Sequence, residues 1–227
     1  MLDWNRIDTL LLDMDGVLLD LAFDEFFWHF ELPARYAAVY HLDEDDAREK
    51  LLAMYREREG RQDWYDVDYW SRRLGFDVAS IKVRQAHRIR EHAGVRFFLA
   101  RARERGCRSV LLTNAHPKTL RLKMAVTRLE PLLDETISTF ELGAGKESRT
   151  LWERLQRRLD LDPARTLLVE DSATNLRTAR DYGIGQLVYI SRPNSLRGAV
   201  PHPEFHSIEG LADLACPPLS PARSRFC

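Results

Sequence analysis

Several bulk signals are missing from this chain of 227 residues, and each absence removes a class of function. Lys and Arg number 34 against 35 Asp and Glu, a formal net charge of −1. No basic excess therefore points to nucleic acid or to an anionic membrane. The charges are interspersed, as in EREGR (57–61) and RARERGCR (101–108), in the manner of solvated helix faces. No run of 18 apolar residues exists to span a bilayer. Asp3, Asp8, Asp13 and Asp15 interrupt the only apolar stretch near the start, so no secretory leader is expected. The three cysteines, Cys107, Cys216 and Cys227, are odd in number and widely spaced. They read as free thiols in a reducing compartment, not as a disulfide framework or a zinc site, and the expected location is cytoplasmic. None of the seven histidines pairs with another at metal-ligand spacing, and no internal repeat is visible.

What is present is a soluble, globular composition, with 44% hydrophobic and 30% charged residues. The length allows one core of about 140 residues plus an insert. The most informative run is Ile7 to Asp20, IDTLLLDMDGVLLD. An apolar strand ends there in Asp13 and Asp15 and then Gly16, at the carboxyl edge where open α/β sheets bind ligands. Two carboxylates so placed repel unless a cation or a shared proton intervenes. Mg²⁺ suits an all-oxygen pair, so the run suggests a metal-assisted carboxylate nucleophile. Asp-Gly is also an ordinary turn, and this run alone does not decide between the two.

Three further segments shift the balance. Val110 to Asn114, VLLTN, is a second apolar strand, ending in Thr113 and Asn114. Lys146 follows the loop Gly143-Ala144-Gly145. Leu167 to Ser172, LLVEDS, ends a strand in Glu170 and Asp171. In a doubly wound sheet these ends meet at one crevice, bringing a carboxylate pair, hydroxyl and amide donors, a cation and a second acidic pair around one phosphate. Each has a plainer reading: Thr-Asn is a common helix N-cap, and most lysines lie at the surface.

From Gly94 onward, helix and strand alternate. RFFLARARERG closes at Gly106, and strand SVLLT precedes a helix opened by Pro117. Short strand ETISTF follows, then a helix over about 148–159 carrying Leu151, Trp152, Leu155 and Leu159 at helical spacing. Strand TLLVE, a helix near 174–182 and strand QLVYI complete the series. The pattern predicts an α/β fold, a doubly wound parallel sheet with helices on both faces. The interval from Val17 to Ala93 breaks the alternation and reads as helical throughout. In it Asp43 opens DEDDAREKLLAMYRERE, acidic first and basic later, as the helix dipole favours. Its place between the first strand and the next helix predicts an all-helical cap over the site. Residues 1–16 and 94–215 are then the core, 17–93 the cap, and 216–227 a loose tail marked by Pro217, Pro218 and Pro221.

In motif order and spacing the chain resembles the haloacid dehalogenase superfamily. DMDGVLLDLAFDEFFW (13–28), DWYDVDYWSRRLG (63–75), LLTNAHPKTL (111–120) and RTLLVEDSATNL (165–176) further resemble its GMP/IMP nucleotidase branch. The likeness runs from Ile7 to Leu214. It implies that Asp13 attacks phosphorus to form an aspartyl-phosphate, and that Asp15 protonates the leaving oxygen and later activates water. It implies Mg²⁺ held by Asp13, the backbone carbonyl of Asp15 and Asp171. Glu170 would orient waters or Lys146, Lys146 would screen charge and bind phosphate, and Thr113 and Asn114 would bind the phosphoryl oxygens.

Two departures stand out. Ala144 and Gly145 replace a bulky residue and proline before the lysine, predicting a freer loop around Lys146. Val17 replaces a commoner threonine, a change expected to be harmless. The aromatics Phe23, Phe26, Phe27, Trp28, Phe30, Trp64, Tyr65, Tyr69 and Trp70 suit both a cap core and a platform for a stacked base. His116 lies beside the phosphate donors, although a helix-start role also fits it. Asp66 and Asp68 are candidate acceptors for a purine N1–H by location alone.

The expected activity is dephosphorylation of a small organic phosphate, foremost a purine 5′-mononucleotide, with neither nucleic acid nor membrane as partner. The alternatives are a sugar-phosphate phosphatase or phosphomutase on the same core, and a catalytically silent binding protein. Dehalogenation is disfavoured, because Asp15 serves acid chemistry that a dehalogenase does not need.

Overall fold

The structure, a computed structural model, describes residues 2–214 and 216–218. Six strands are β1 (Thr9–Leu12), β2 (Arg108–Thr113), β3 (Glu135–Ser138), β4 (Thr166–Glu170), β5 (Gln186–Ile190) and β6 (Ser207–Ile208). They form one parallel sheet in the order β3-β2-β1-β4-β5-β6. The chain moves outward from β1 through β2 to β3, then returns to place β4 on the other side of β1. That reversal creates the crevice in which such sheets bind ligands.

Every residue of β1 and β4 is buried, as a strand covered on both faces requires. The alternation of side chains divides the core in two. Leu10, Leu12, Leu111 and Val169 pack on one face with Phe98, Leu99 and Ala102 of α6 (Val95–Glu104), and with Leu120 and Met124 of α7 (Pro117–Thr127). Leu11, Leu112 and Leu168 face the other way. They meet Leu151, Trp152 and Leu155 of α8 (Arg149–Leu159), and Leu176 and Ala179 of α9 (Ala173–Tyr182). The sequence pattern did not predict β6, a two-residue strand reached through residues 191–206. It carries too little apolar periodicity to register as an element.

Between β1 and α6 the described residues contain helices and turns but no strand. The helices are α1 (Ala22–Phe26), α2 (Leu32–Tyr40), α3 (Glu44–Arg56), α4 (Val67–Leu74) and α5 (Val78–Arg84). Asp43, Asp66 and Asp77 cap α3, α4 and α5, each accepting from backbone N–H groups of the first turn. A π-helical turn, Phe27–Glu31, joins α1 to α2, and the Leu32 N–H bonds to the Phe27 carbonyl. Pro33 follows at the start of α2, where its missing N–H is tolerated.

This insert has its own apolar cluster, from Phe27 and Leu32 through Leu51, Tyr55 and Trp70 to Ile81. Val17, Leu18, Leu19 and Ile89 pack instead with the sheet. The helical cluster is therefore shorter at both ends than the interval 17–93. Of the expected tail, Cys216 is buried against the core, and the carbonyls of Pro217 and Pro218 accept from Arg105 Nη1 at 2.8 and 3.1 Å. Its remaining residues, 219–227, lie outside the described ones.

Candidate active site

The carboxyl ends of β1, β2 and β4 converge. Asp13 follows β1, and its N–H continues the ladder to the Val169 carbonyl at 3.1 Å. Gly16 makes the turn that follows, with φ +88°, a conformation that disfavours any side chain. A Cβ on Gly16 would lie 2.4 Å from Asp171 Oδ2, so this glycine lets the fourth segment approach the first.

Lys146 is buried, 1% exposed, and donates to Asp13 Oδ1 and, at 2.6 Å, to Glu170 Oε2. The expectation of a freer loop is corrected here. The Lys146 N–H donates to Asn114 Oδ1 at 3.0 Å, and its carbonyl accepts from Trp152 Nε1 at 3.1 Å. The two bonds hold its backbone without the help of a proline.

Asn114 lines the cavity and makes further bonds. Its Oδ1 also accepts from Thr139, and its Nδ2 donates to Glu147 Oε1 at 2.9 Å. Glu147 Oε1 accepts at 3.0 Å from the hydroxyl of Tyr65 in the insert. Burial, and then the Glu147 charge, push the Tyr65 phenol up. Asn114 thus positions the lysine loop and ties it to the insert. Thr113 lines the cavity, and its Oγ1 accepts from the Ala115 N–H at 3.0 Å. Glu170 Oε1 accepts from the Asp171 and Ser172 N–H groups, both at 3.1 Å, so Glu170 braces the fourth segment as well as Lys146.

The charge balance is uneven. Asp13, Glu170 and Asp171 bring carboxylate oxygens within 4.8 Å of one another, against the single Lys146 ammonium. Burial, then the Glu170 charge, raise Asp13 to about 7 despite the opposing pull of Lys146. Burial, then Glu170 and Asp13, hold Asp171 well above the usual carboxylate range. Asn175, at the start of α9, lines the same cavity, and its Oδ1 is buried without a protein donor. Surplus buried negative charge, hard oxygen ligands and an orphaned acceptor suited to a coordinated water fit a small divalent cation.

Asp15 occupies a different setting. Its Oδ1 accepts from Lys123 of α7, which also donates to Asp24 of α1. Lys82 of α5 donates to the other oxygen of Asp24 at 2.7 Å. Burial raises Asp15, and Lys123 opposes it. None of Lys123, Asp24 and Lys82 had been singled out from the sequence. A lysine among 34 Lys and Arg residues carries no local mark of burial.

One cavity of about 300 Å³ opens on Asp13, Asp15, Thr113, Lys146 and Asp171. Its insert side includes Trp28, Tyr55, Trp64, Tyr65 and Trp70, with the polar residues Asp24, Glu25, His29 and Lys82. Of the other aromatics, Phe23 and Phe27 are buried in apolar clusters, and Phe26 stacks on the exposed Phe30. Asp66 and Asp68 do not line the cavity. Asp66 Oδ1 caps α4, and Asp68 pairs with Lys118 at 2.6 Å. His116 caps α7, its Nδ1 accepting from the Lys118 N–H at 3.3 Å.

Among the described residues no helix is long and apolar enough to cross a membrane. A HAD phosphatase from Thermococcus onnurineus superposes with a TM-score of 0.76 at 23% identity, covering 92% of this chain and 96% of that one. The L-2-haloacid dehalogenase of Xanthobacter autotrophicus gives 0.58 at 16% identity over the same shares. At these identities the likeness establishes the fold. The GMP/IMP nucleotidase YrfG of Escherichia coli is 35% identical over 192 residues, 85% of this chain and 86% of that protein. Residues 7–183 match the haloacid dehalogenase-like hydrolases, a span that runs from before β1 to just past α9. With the fold, the carboxylate–lysine cluster and the relatives in agreement, the chain belongs to the haloacid dehalogenase-like hydrolase family.

Proposed function

We propose that this phosphatase is a Mg²⁺-dependent nucleotidase acting on purine 5′-mononucleotides, GMP and IMP foremost. One observation carries the reading: the cavity above Asp13 and Lys146 is walled on the insert side by Trp28, Tyr55, Trp64 and Tyr65. A phosphate seated on the carboxyl edge of the sheet puts a nucleoside base among those rings, where stacking on an aromatic is worth about 1–3 kcal/mol per base. The GMP/IMP specificity of the Escherichia coli relative supports the purine assignment.

In this reading Asp13 attacks phosphorus in line with the leaving oxygen. Lys146 neutralises charge on Asp13 and on the phosphoryl group, and Thr113 donates to a phosphoryl oxygen. Asp15 gives its proton to the departing oxygen and then accepts one from the water that cleaves the aspartyl-phosphate. Asp13, the Asp15 carbonyl and Asp171 would hold Mg²⁺, with Glu170 bracing Asp171, and the ion would supply electrostatic screening between a carboxylate and a phosphate. The insert, residues 17–93, serves as the cap, and Glu25 replaces Asp66 and Asp68 as the carboxylate placed to accept from a purine N1–H. Asn194 and Arg197 hold its Oε2 at 2.8 and 2.5 Å, which fixes the carboxylate's direction. In this reading the reaction also stays in the cytoplasm, the compartment expected from the sequence.

Phosphate release from nucleoside monophosphates and sugar phosphates, with and without Mg²⁺, tests the proposal. GMP and IMP should lead, ahead of AMP and the pyrimidine nucleotides. A profile led by sugar phosphates would select the alternative phosphatase reading, and return of the phosphoryl group to a sugar would select the mutase.

A further inference from the structure

A second buried charge cluster adjoins the first, and Asp15, Asp24 and Lys82 of it line the same cavity. Lys123 is 1% exposed and shares its ammonium between Asp15 Oδ1 and Asp24 Oδ2. Asp24 Oδ1 accepts from Lys82 at 2.7 Å, and Lys82 is itself buried over the rings of Phe27 and Trp28 at 5.0 and 5.3 Å. Carboxyl and ammonium groups alternate along this row, so each ammonium has a carboxyl group beside it. Such a row is stable only while complete, because removing one partner leaves an uncompensated buried charge.

Its members come from both halves of the molecule. Asp15 and Lys123 belong to the sheet side, whereas Asp24 and Lys82 belong to the helical insert. Lys123 is thus the joint: it fixes the rotation of the Asp15 carboxyl in the cavity, and its other bond reaches the insert. Separating the insert from the sheet breaks the Lys123–Asp24 bond and leaves the ammonium held by Asp15 alone.

We propose that Lys123 is a positioning residue for the departure of the leaving group, holding the Asp15 carboxyl in place with an ammonium whose own position is fixed by Asp24 of the insert. The inference rests on the phosphatase reading of Asp13 and Asp15. In the first step an Asp13 oxygen bonds to phosphorus as the bond from phosphorus to the leaving oxygen breaks. The electron pair of that bond stays on the leaving oxygen, which takes the Asp15 proton. In the second step water oxygen bonds to phosphorus, the Asp13–phosphorus bond breaks with its pair returning to Asp13, and Asp15 recovers a proton from the water.

The test compares leaving groups in rapid-mixing experiments on wild type, Lys123→Met and Asp24→Asn, all with Mg²⁺. A nitrophenolate leaves without a proton, whereas an alkoxide needs one. With 4-nitrophenyl phosphate, both variants should release the first equivalent of nitrophenolate within about threefold of the wild-type rate. With GMP, or with whichever alkyl monophosphate the wild type turns over fastest, the first turnover should slow by about 100-fold. The nitrophenolate burst shows that a variant's site is folded. If Lys123→Met fails to fold, Asp24→Asn carries the same comparison. Equal losses on both substrates would assign Lys123 a structural role only and overturn the proposal, as would no loss on either. A wild type inactive on every monophosphate would refute the phosphatase reading and this inference with it.

Discussion

Lys123 shows what a sequence hides at the scale of single residues. Asp13, Asp15 and Asp171 are legible because each follows an apolar strand, and strand ends in a parallel sheet meet at one edge. Lys123 lies mid-helix, and its importance comes from burial between Asp15 and Asp24, residues 108 and 99 positions away. Asn114 was read as a phosphate donor from its place after β2; it lines the cavity, and its amide also engages Lys146, Thr139 and Glu147, bonds the sequence did not show. Asp66 and Asp68 were candidates by proximity in sequence, and helix capping and Lys118 claim them instead.

Asp24 gives a prediction at this scale. Burial would raise it, but Lys123 and Lys82 outweigh burial and hold the carboxyl at about 2, below the ordinary 3.8. The unfolded chain therefore binds more protons than the folded one between these values. Stability from Asp24 is present above the ordinary value and lost as pH falls through the folded one. Asp24→Asn should cost about 3–5 kcal/mol at neutral pH, because two buried ammoniums lose a partner. The gap to wild type should narrow by on the order of 2 kcal/mol as pH drops from about 4 to about 2. Urea titrations across that range measure it, and a gap that widens contradicts the paired geometry.

At the scale of elements, the β-α alternation after Gly94 was readable because buried parallel strands are short apolar runs between amphipathic helices. The helical insert was readable as helical, but not how it meets the sheet. Side chains far apart in sequence make that contact: Tyr65 to Glu147, Glu25 to Asn194 and Asp24 to Lys123. β6 was missed because two residues carry no period.

Gly16→Ala should lose both activity and stability. The residue sits at φ +88° and the added Cβ would meet Asp171 Oδ2. Backbone strain of this kind costs about 1–3 kcal/mol. Phosphate-release rates and a thermal midpoint check it, and an unchanged enzyme would refute the close approach of the two segments. Hydrogen exchange across 22–84 should slow when vanadate or inorganic phosphate binds, since a seated insert buries more amides. Unchanged exchange, with binding shown by calorimetry, would mean an insert that does not respond to the site.

For the whole molecule, the fold concentrates three carboxylates around one lysine, and that imbalance reads as stability given up for function. Adding Mg²⁺ should raise the thermal midpoint, by about 2.7 kcal/mol of stabilisation at a hundredfold excess over its Kd, or a shift of roughly 5–10 °C for this size. Asp171→Asn should raise the metal-free midpoint, because the repulsion from Glu170 and Asp13 is relieved, and should abolish most of the Mg²⁺ increment. A full increment in that variant would remove Asp171 from the metal site.

The central claim is that phosphoryl transfer passes through Asp13. Its most direct test is to quench the enzyme during turnover of GMP with Mg²⁺, reduce it with borohydride, and sequence the peptides by mass spectrometry. An aspartyl-phosphate is reduced to homoserine, so homoserine should appear at position 13 and nowhere else. Asp13→Asn should show none and lose about 10³-fold or more of the activity. Homoserine at another position, or an unmodified Asp13 in enzyme that is turning over, would contradict the account.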